Sequence, residues 1–156
     1  MNQTIREILI TSKCDPLTFD ETEIADALRT LDSDERFTLP PGELSIVFLT
    51  DDQIGELHGT FLGDPTPTDV ITFPGDAAFE EVGEICVGVE RALEMLPRQK
   101  TSLSQEILLY LAHGWLHLAG YDDINEDDRA RMREAEKEAL ALILSERSPP
   151  RFSLAD

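Results

Sequence analysis

The chain is poor in cysteine and lacks a long apolar run. Its two cysteines, Cys14 and Cys86, lie far apart and outside any CxxC pattern, which excludes a disulfide scaffold and a four-thiolate metal site. The N-terminus has no basic stretch followed by an apolar run, so no signal peptide is predicted. The most apolar stretch, residues 107–120, is too short to span a bilayer. These absences predict a soluble, cytoplasmic protein that does not associate with membranes.

Basic residues are scarce as well. The 156 residues include 13 Lys and Arg against 32 Asp and Glu, for a net charge of −19. No Lys or Arg occurs between Phe37 and Glu90, a stretch that holds eleven acids when Glu90 is counted. This balance excludes a nucleic-acid-binding module held by its own net charge. It leaves open an enzyme with a local site, and it favours docking on basic proteins.

Length and periodicity predict one α+β domain over residues 1–147, followed by a flexible C-terminal tail at 148–156. The expected sheet has about four strands, packed with about five helices that begin at capping residues. The strands are expected at Thr4–Ile10, Glu43–Leu49, Val70–Phe73 and Glu84–Val87. The helices are expected after Asp20, from Thr50 to Gly63, from Val89 to a stop at Pro97, from Ser102 to Leu118 and from Asn125 to Ser145.

Two of the three histidines, His113 and His117, are spaced i and i+4 in an otherwise apolar helix. Both imidazoles therefore share one helix face, where they can bind one metal ion or simply be two satisfied polar groups. Burying two polar rings in so apolar a helix costs free energy unless the rings are paired. This cost favours the interpretation that they bind a metal ion. Gly120 is expected to end the helix, so that Asp123 can return as a third ligand and leave an open, catalytic type of site.

The residue after the first histidine is Gly114. Metalloproteases with the HExxH pattern carry their general base, a glutamate, at this position. Glycine has no proton-accepting side chain, so that protease mechanism is excluded. Inside a helix, glycine lowers stability by up to about 1 kcal/mol relative to alanine. Its presence at this position indicates either a close approach of another group or tight packing.

Three segments resemble one known family. The stretch HGWLHLAGYDD, from His113 to Asp123, is similar to the HGxLHLxGYDH signature of the YbeY family of bacterial endoribonucleases and rRNA maturation factors. PTDVITFP, residues 67–74, resembles that family's PTDVLSFP strand, and GEI at 83–85 its GDI strand. Order and spacing agree over roughly residues 44–123.

The resemblance implies an α+β fold with a mixed four-stranded sheet. It also implies a zinc-dependent, single-strand-specific endoribonuclease that matures the 3′ end of small-subunit rRNA and serves ribosome quality control. One Zn²⁺ ion would be held by His113, His117 and Asp123. The implied partners are rRNA, the small ribosomal subunit and its basic proteins.

The chain departs from the family pattern at two positions. The third ligand is usually histidine, whereas this chain has Asp123, with Asp122 as a rival carboxylate and His58 as the remaining histidine. A carboxylate lowers the charge of the site and allows a harder ion such as manganese to compete. At Leu62 many relatives carry an arginine that contacts RNA phosphate, and its loss weakens the expectation of nuclease activity more than that of metal binding.

A phosphodiesterase also needs a proton acceptor, unless the 2′-hydroxyl of the RNA reduces that need. Asp69, Glu84 and Glu106 are candidates, and the sequence does not choose among them. Asp69 is equally suited to capping a turn. Phosphate binding is expected from the metal, from helix termini or from Arg91 and Arg98.

Three functions are consistent with these residues. The first is a metal-dependent endoribonuclease for rRNA processing. The second is a non-catalytic ribosome-assembly factor with a structural metal, and the third is a metallohydrolase of another substrate.

Overall fold

A computed structural model describes residues 5–63 and 68–155, apart from the side chain of Leu62. The Pro-rich segment 64–67, which includes the start of the PTDVITFP motif, therefore lies outside the described residues. The described elements are, in chain order, β1 (Ile8–Ser12), β2 (Leu17–Phe19), α1 (Glu21–Asp32), β3 (Glu43–Leu49), α2 (Asp51–Leu62), β4 (Val70–Pro74), a 3-10 turn (Ala77–Phe79), β5 (Glu81–Gly88), α3 (Val89–Gln99), α4 (Leu103–Leu118), α5 (Glu126–Glu146) and β6 (Phe152–Leu154).

The main sheet has four strands in the order β1-β3-β5-β4. The strands β1, β3 and β5 are parallel, and β4 joins β5 in the antiparallel direction. The mixed sheet of four strands and the five helices confirm the predicted α+β fold. The inner position of β3 explains its nearly continuous apolar sequence, which covers both faces of the sheet.

Helices cover the two faces of the sheet unequally. Alternate residues such as Ile46 and Ile85 face a large core that α1, α3, α4 and α5 complete. Leu49 of β3 and Cys86 of β5 face the opposite side, where a smaller cluster includes Ile54 of α2. Because side chains alternate along a strand, this division fixes which residues of β5 can approach α4.

The predicted helix starts are confirmed at α2 and α4. Thr50 with Gln53 and Ser102 with Gln105 each form both hydrogen bonds of a capping box. The predicted stop of α3 at Pro97 is wrong, because the helix continues through Pro97 to Gln99 and is capped by Lys100, whose φ is +51°. Proline has a helical φ but lacks the N–H that would donate to the carbonyl four residues earlier, so α3 passes through Pro97 with one hydrogen bond fewer and ends two residues later.

The C-terminal tail also differs from the expectation. The strand β6 pairs antiparallel with β2, which joins Phe152 to Phe19 and Leu154 to Leu17. Phe152 is only 6% exposed and contacts the ring of Phe48 at 5.5 Å. Burial of this ring orders a segment that its prolines and polar residues predict to be flexible.

The two cysteine thiols are free and buried. Burial raises the pKa of both Cys14 and Cys86, so neither thiol has the properties of a reactive nucleophile. Among the described residues, no helix combines the length and apolar character needed to cross a membrane.

Candidate metal centre

Helix α4 carries the two signature histidines and lies directly against the sheet. A Cβ atom added at Gly114 would lie 2.6 Å from Cγ2 of Ile85 and 3.2 Å from Cγ2 of Thr72. The glycine therefore lets α4 approach β5 and the edge strand β4 more closely than alanine would allow. The structure assigns Gly114 the packing role, which was one of its two predicted explanations.

The chain reverses after α4 and brings Asp123 back to the histidines. Gly120 has a φ of +105°, and the amide of Tyr121 donates to the carbonyl of Leu116, which ends the helix as predicted. The ring of Tyr121 then packs 6.4 Å from that of Phe37. This contact anchors the short connection between α4 and α5, which holds Asp123.

Three potential ligand atoms form a compact triangle. Nε2 of His113 lies 3.0 Å from Nε2 of His117, and the Oδ2 atom of Asp123 lies 3.6 Å and 3.5 Å from these two nitrogens. Ligands bound tetrahedrally at about 2.0–2.1 Å from zinc are separated by about 3.3 Å. All three residues are partly buried. The donor types and their separations therefore fit a divalent cation with three protein ligands.

The rival donors lie elsewhere. Asp122 is exposed, whereas Asp123 is partly buried. His58 is on α2 and does not belong to the group formed by His113, His117 and Asp123 among the described residues. The assignment of these three residues as metal ligands stays a prediction, and it is the one that the geometry favours.

A fourth residue contacts the triangle from outside. Nδ1 of His113 lies 2.6 Å from Oε2 of Glu136, which α5 supplies. Burial lowers the pKa of His113, but the hydrogen bond and charge of Glu136, with the charges of Asp69 and Asp123, outweigh this effect and raise it. Glu136 is not among the residues predicted from the sequence, because the glutamates of α5 look alike there.

Asp69 and Glu106, two of the three candidate bases, lie on the α4 side of β4. The charge of Asp69 acts on His113, Tyr110 and Glu106. Asp69 is exposed and also accepts a hydrogen bond from the amide of Val70 at 2.7 Å, so its local turn role and its position near the cluster coexist. Glu106 is only 3% exposed and is hydrogen-bonded to Tyr110, and burial raises its pKa.

Glu84 does not join the cluster. Its neighbour Ile85 faces Gly114 of α4, so Glu84 points to the opposite side of the sheet. There it accepts a hydrogen bond from Sγ of Cys86 at 3.4 Å. It also lines a groove of about 510 Å³ beside α2. Because side chains alternate along β5, Glu84 lies on the face of the sheet away from the histidines.

The two arginines proposed for phosphate binding lie on α3. The charge of Arg91 acts on Tyr110, as does that of Asp69. Its guanidinium is 3.8 Å from Glu94. Arg98 is exposed two helical turns farther along α3. The side chain of Leu62 lies outside the described residues.

The comparisons with known proteins agree with this architecture. Residues 11–143 match the family described as "Endoribonuclease YbeY". An "Endoribonuclease YbeY" of Protochlamydia amoebophila is 41% identical over 98 residues, which cover 60% of this chain and 65% of that protein. Relatives with the same description match over longer stretches. The relative from Chlamydia trachomatis serovar D is 33% identical over 87% of this chain and 93% of its own length. The relative from Beutenbergia cavernae is 32% identical over 85% of this chain and 94% of its own length.

A solved structure extends the similarity to the fold. The solution structure of TM1509 from Thermotoga maritima superposes with a TM-score of 0.62 and 26% identity, over 89% of this chain and 90% of that one. The family match covers the whole sheet except the start of β1, and it includes α4 with its histidine cluster. The chain therefore belongs to the YbeY endoribonuclease family.

Proposed function

We propose that this protein is a metal-dependent endoribonuclease that cuts single-stranded RNA, with one zinc ion held by His113, His117 and Asp123. The observation that carries the proposal is the triangle of two imidazole nitrogens and one carboxylate oxygen, 3.0 to 3.6 Å apart, on a chain of this family. Three protein ligands leave a further position open, as in catalytic rather than structural zinc sites.

When bound, the ion supplies a Lewis acid that polarises a phosphoryl oxygen and makes a nearby water more acidic. The remaining work falls to the side chains of the protein. His113 and His117 on α4 and Asp123 after it keep the ligand atoms on one side, because Gly114 seats the helix against β4 and β5. The partial burial of the three ligands limits the water that competes for them.

Asp69 is the proton acceptor that the geometry supports best. Its side chain is exposed at the surface, and its charge acts on His113. Glu106 is too deeply buried to contact a substrate, and Glu84 lies across the sheet. Asp69 would take a proton from the attacking oxygen, which is either water or the 2′-hydroxyl of the RNA.

Replacing Asp69 by asparagine is expected to lower the rate of RNA cleavage by about 10²-fold or more, within the range for loss of a general base. Metal content should stay near that of the original protein, because Asp69 is not among the three ligands. Single-turnover cleavage and elemental analysis of the same preparation measure the two quantities. A variant that cleaves at the original rate would remove Asp69 from the mechanism.

The substrate proposed in the cell is small-subunit rRNA near its 3′ end, on or near the ribosome. The protein carries a net charge of −19, so attraction to basic ribosomal proteins would bring it to RNA that its own charge repels. Locally, Arg91 and Arg98 on α3 are the proposed phosphate contacts, since the stretch from Phe37 to Glu90 contains no Lys or Arg.

The test is cleavage by zinc-loaded protein of matched single-stranded RNA, duplex RNA, DNA and peptide substrates, with and without a chelator. We expect cleavage of single-stranded RNA alone, which the chelator abolishes and added zinc restores. Intact RNA together with full zinc occupancy and binding to ribosomal proteins would instead identify an assembly factor with a structural metal. Cleavage of another substrate class would identify a different metallohydrolase.

A further inference from the structure

We infer that Glu136 is a positioning residue for the histidine cluster: its carboxylate fixes the ring orientation and tautomer of His113, so that Nε2 of this ring offers a lone pair to the cation. The inference rests on the proposed function only in requiring that the cluster binds a divalent cation. It does not depend on whether the bound protein cleaves RNA.

The contact between the two residues is short and shielded. Oε2 of Glu136 lies 2.6 Å from Nδ1 of His113, and the side chains are 18% and 21% exposed. A hydrogen bond to a carboxylate at this distance is of the strong, charge-assisted type. Helix α5 packs along α4, so the carboxylate is held by an element that is separate from the one carrying the ring.

The direction of this hydrogen bond determines the chemistry of the opposite nitrogen. An ionised carboxylate only accepts hydrogen bonds, so the hydrogen of the neutral imidazole must reside on Nδ1. Nε2 of His113 then carries a lone pair. This nitrogen is the atom that lies 3.0 Å from His117 and 3.6 Å from Asp123. Its lone pair is therefore available to a cation that the other two ligand atoms also bind.

Without Glu136 a competing arrangement becomes available. The neutral ring of His113 could place its hydrogen on Nε2 and donate to Nε2 of His117, which is 3.0 Å away. That arrangement ties the two imidazoles to each other, and a cation would have to break it. Glu136 removes this alternative in advance, which is how a partner outside the ligand set raises metal affinity.

Charge alone is a distinct explanation, and the chain contains a control for it. Asp69 is a second carboxylate whose charge acts on His113, but its described hydrogen bonds are to Val70 and Thr68. Replacing Asp69 by asparagine removes one negative charge near the ring and leaves the bond to Nδ1 intact. Replacing Glu136 by glutamine removes one charge while an amide oxygen can still accept from Nδ1.

The experiment measures zinc affinity by competition with a chromophoric chelator for the original protein and for Glu136→Ala, Glu136→Gln and Asp69→Asn. Zinc binding should weaken about 10–100-fold in Glu136→Ala, the usual cost of losing such a partner. We expect Glu136→Gln to recover most of this loss and Asp69→Asn to stay within about threefold of the original protein. Thermal unfolding of the metal-free variants shows whether each one is folded.

A second readout reports the tautomer directly. The ¹⁵N shifts of His113 in the metal-free protein, recorded where the ring is neutral, should show hydrogen on Nδ1 in the original protein and in Glu136→Gln. In Glu136→Ala we expect a mixture of tautomers or hydrogen on Nε2. A folded Glu136→Ala with unchanged affinity, an equal loss in Asp69→Asn, or hydrogen on Nε2 in the original protein would each overturn the inference. Absence of RNA cleavage beside the expected affinity differences would refute the proposed activity alone.

Discussion

Replacing Asp123 by alanine is expected to strip the divalent ion from the purified protein and to lower RNA cleavage by at least about 10²-fold. The substitution removes the carboxylate that completes the triangle with His113 and His117. Loss of a ligand should weaken binding more than the roughly 10–100-fold that accompanies loss of an outer partner. Lewis-acid stabilisation amounts to several kcal/mol, and each 1.36 kcal/mol corresponds to about tenfold in rate.

The neighbouring carboxylate provides the matched control. Asp122 is exposed, so Asp122→Ala removes the same charge and the same side chain from the adjacent position and should keep both ion and activity. Elemental analysis of all three proteins also identifies the native ion, which distinguishes zinc from manganese. Equal metal content in the Asp123 and Asp122 variants would refute the ligand assignment. Cleavage that survives both His113→Ala and a chelator would reveal a contaminating nuclease.

The parts of the site that could be predicted from the sequence are local. A helix turns once every 3.6 residues, so the spacing of His113 and His117 is enough to place them on a common face. Gly120 predicts the reversal that returns Asp123 to this face. The capping pairs Thr50 with Gln53 and Ser102 with Gln105 depend on residues three apart, and both form as predicted.

The parts that could not be predicted depend on distant residues. Glu136 lies 23 residues after His113, and only the packing of α5 on α4 distinguishes it from the other glutamates of that helix. The pairing of β6 with β2 joins residues more than 130 positions apart, and neither three-residue strand carries a periodic pattern of its own.

Rejecting one candidate base, Glu84, takes a sequence pattern and a tertiary contact together. In β5, Glu84 alternates with Ile85, and consecutive residues of a strand face opposite sides of the sheet. If Ile85 faces the helix that carries the histidines, Glu84 cannot. The alternation is visible in the sequence, but the packing of α4 on that face is a tertiary contact that the sequence does not display.

Replacing Arg6 by methionine is expected to lower the free energy of unfolding by about 3 kcal/mol, because the substitution leaves the partly buried carboxylate of Asp32 without its charged partner. The Arg6 side chain is 6% exposed and binds Asp32 through two nitrogens, at 2.7 and 3.1 Å. It also donates to the carbonyls of Leu39, Pro40 and Gly42. One guanidinium thus joins the residues before β1, the end of α1 and the loop before β3.

Urea unfolding of the metal-free proteins at pH 7 measures this loss, and the control is an ion pair of equal length at the surface. Arg151 lies 2.7 Å from Glu23 but is 84% exposed, so Arg151→Met should lower the free energy of unfolding far less than Arg6→Met does. An equally small loss of unfolding free energy in Arg6→Met would contradict the prediction. It would show that the Arg6–Asp32 ion pair gains no more free energy than the desolvation of its two charges costs.

The same pair predicts how stability depends on pH. Burial raises the pKa of Asp32, but the hydrogen bonds from Arg6, Leu39 and Thr38 outweigh burial and hold it below its ordinary value. The stabilising contribution is therefore complete above about pH 4, the unfolded value, and is lost as the pH falls through the lowered pKa. Asp32→Asn should remove this part of the acid sensitivity, so its stability curve should be flatter than that of the original protein below about pH 4.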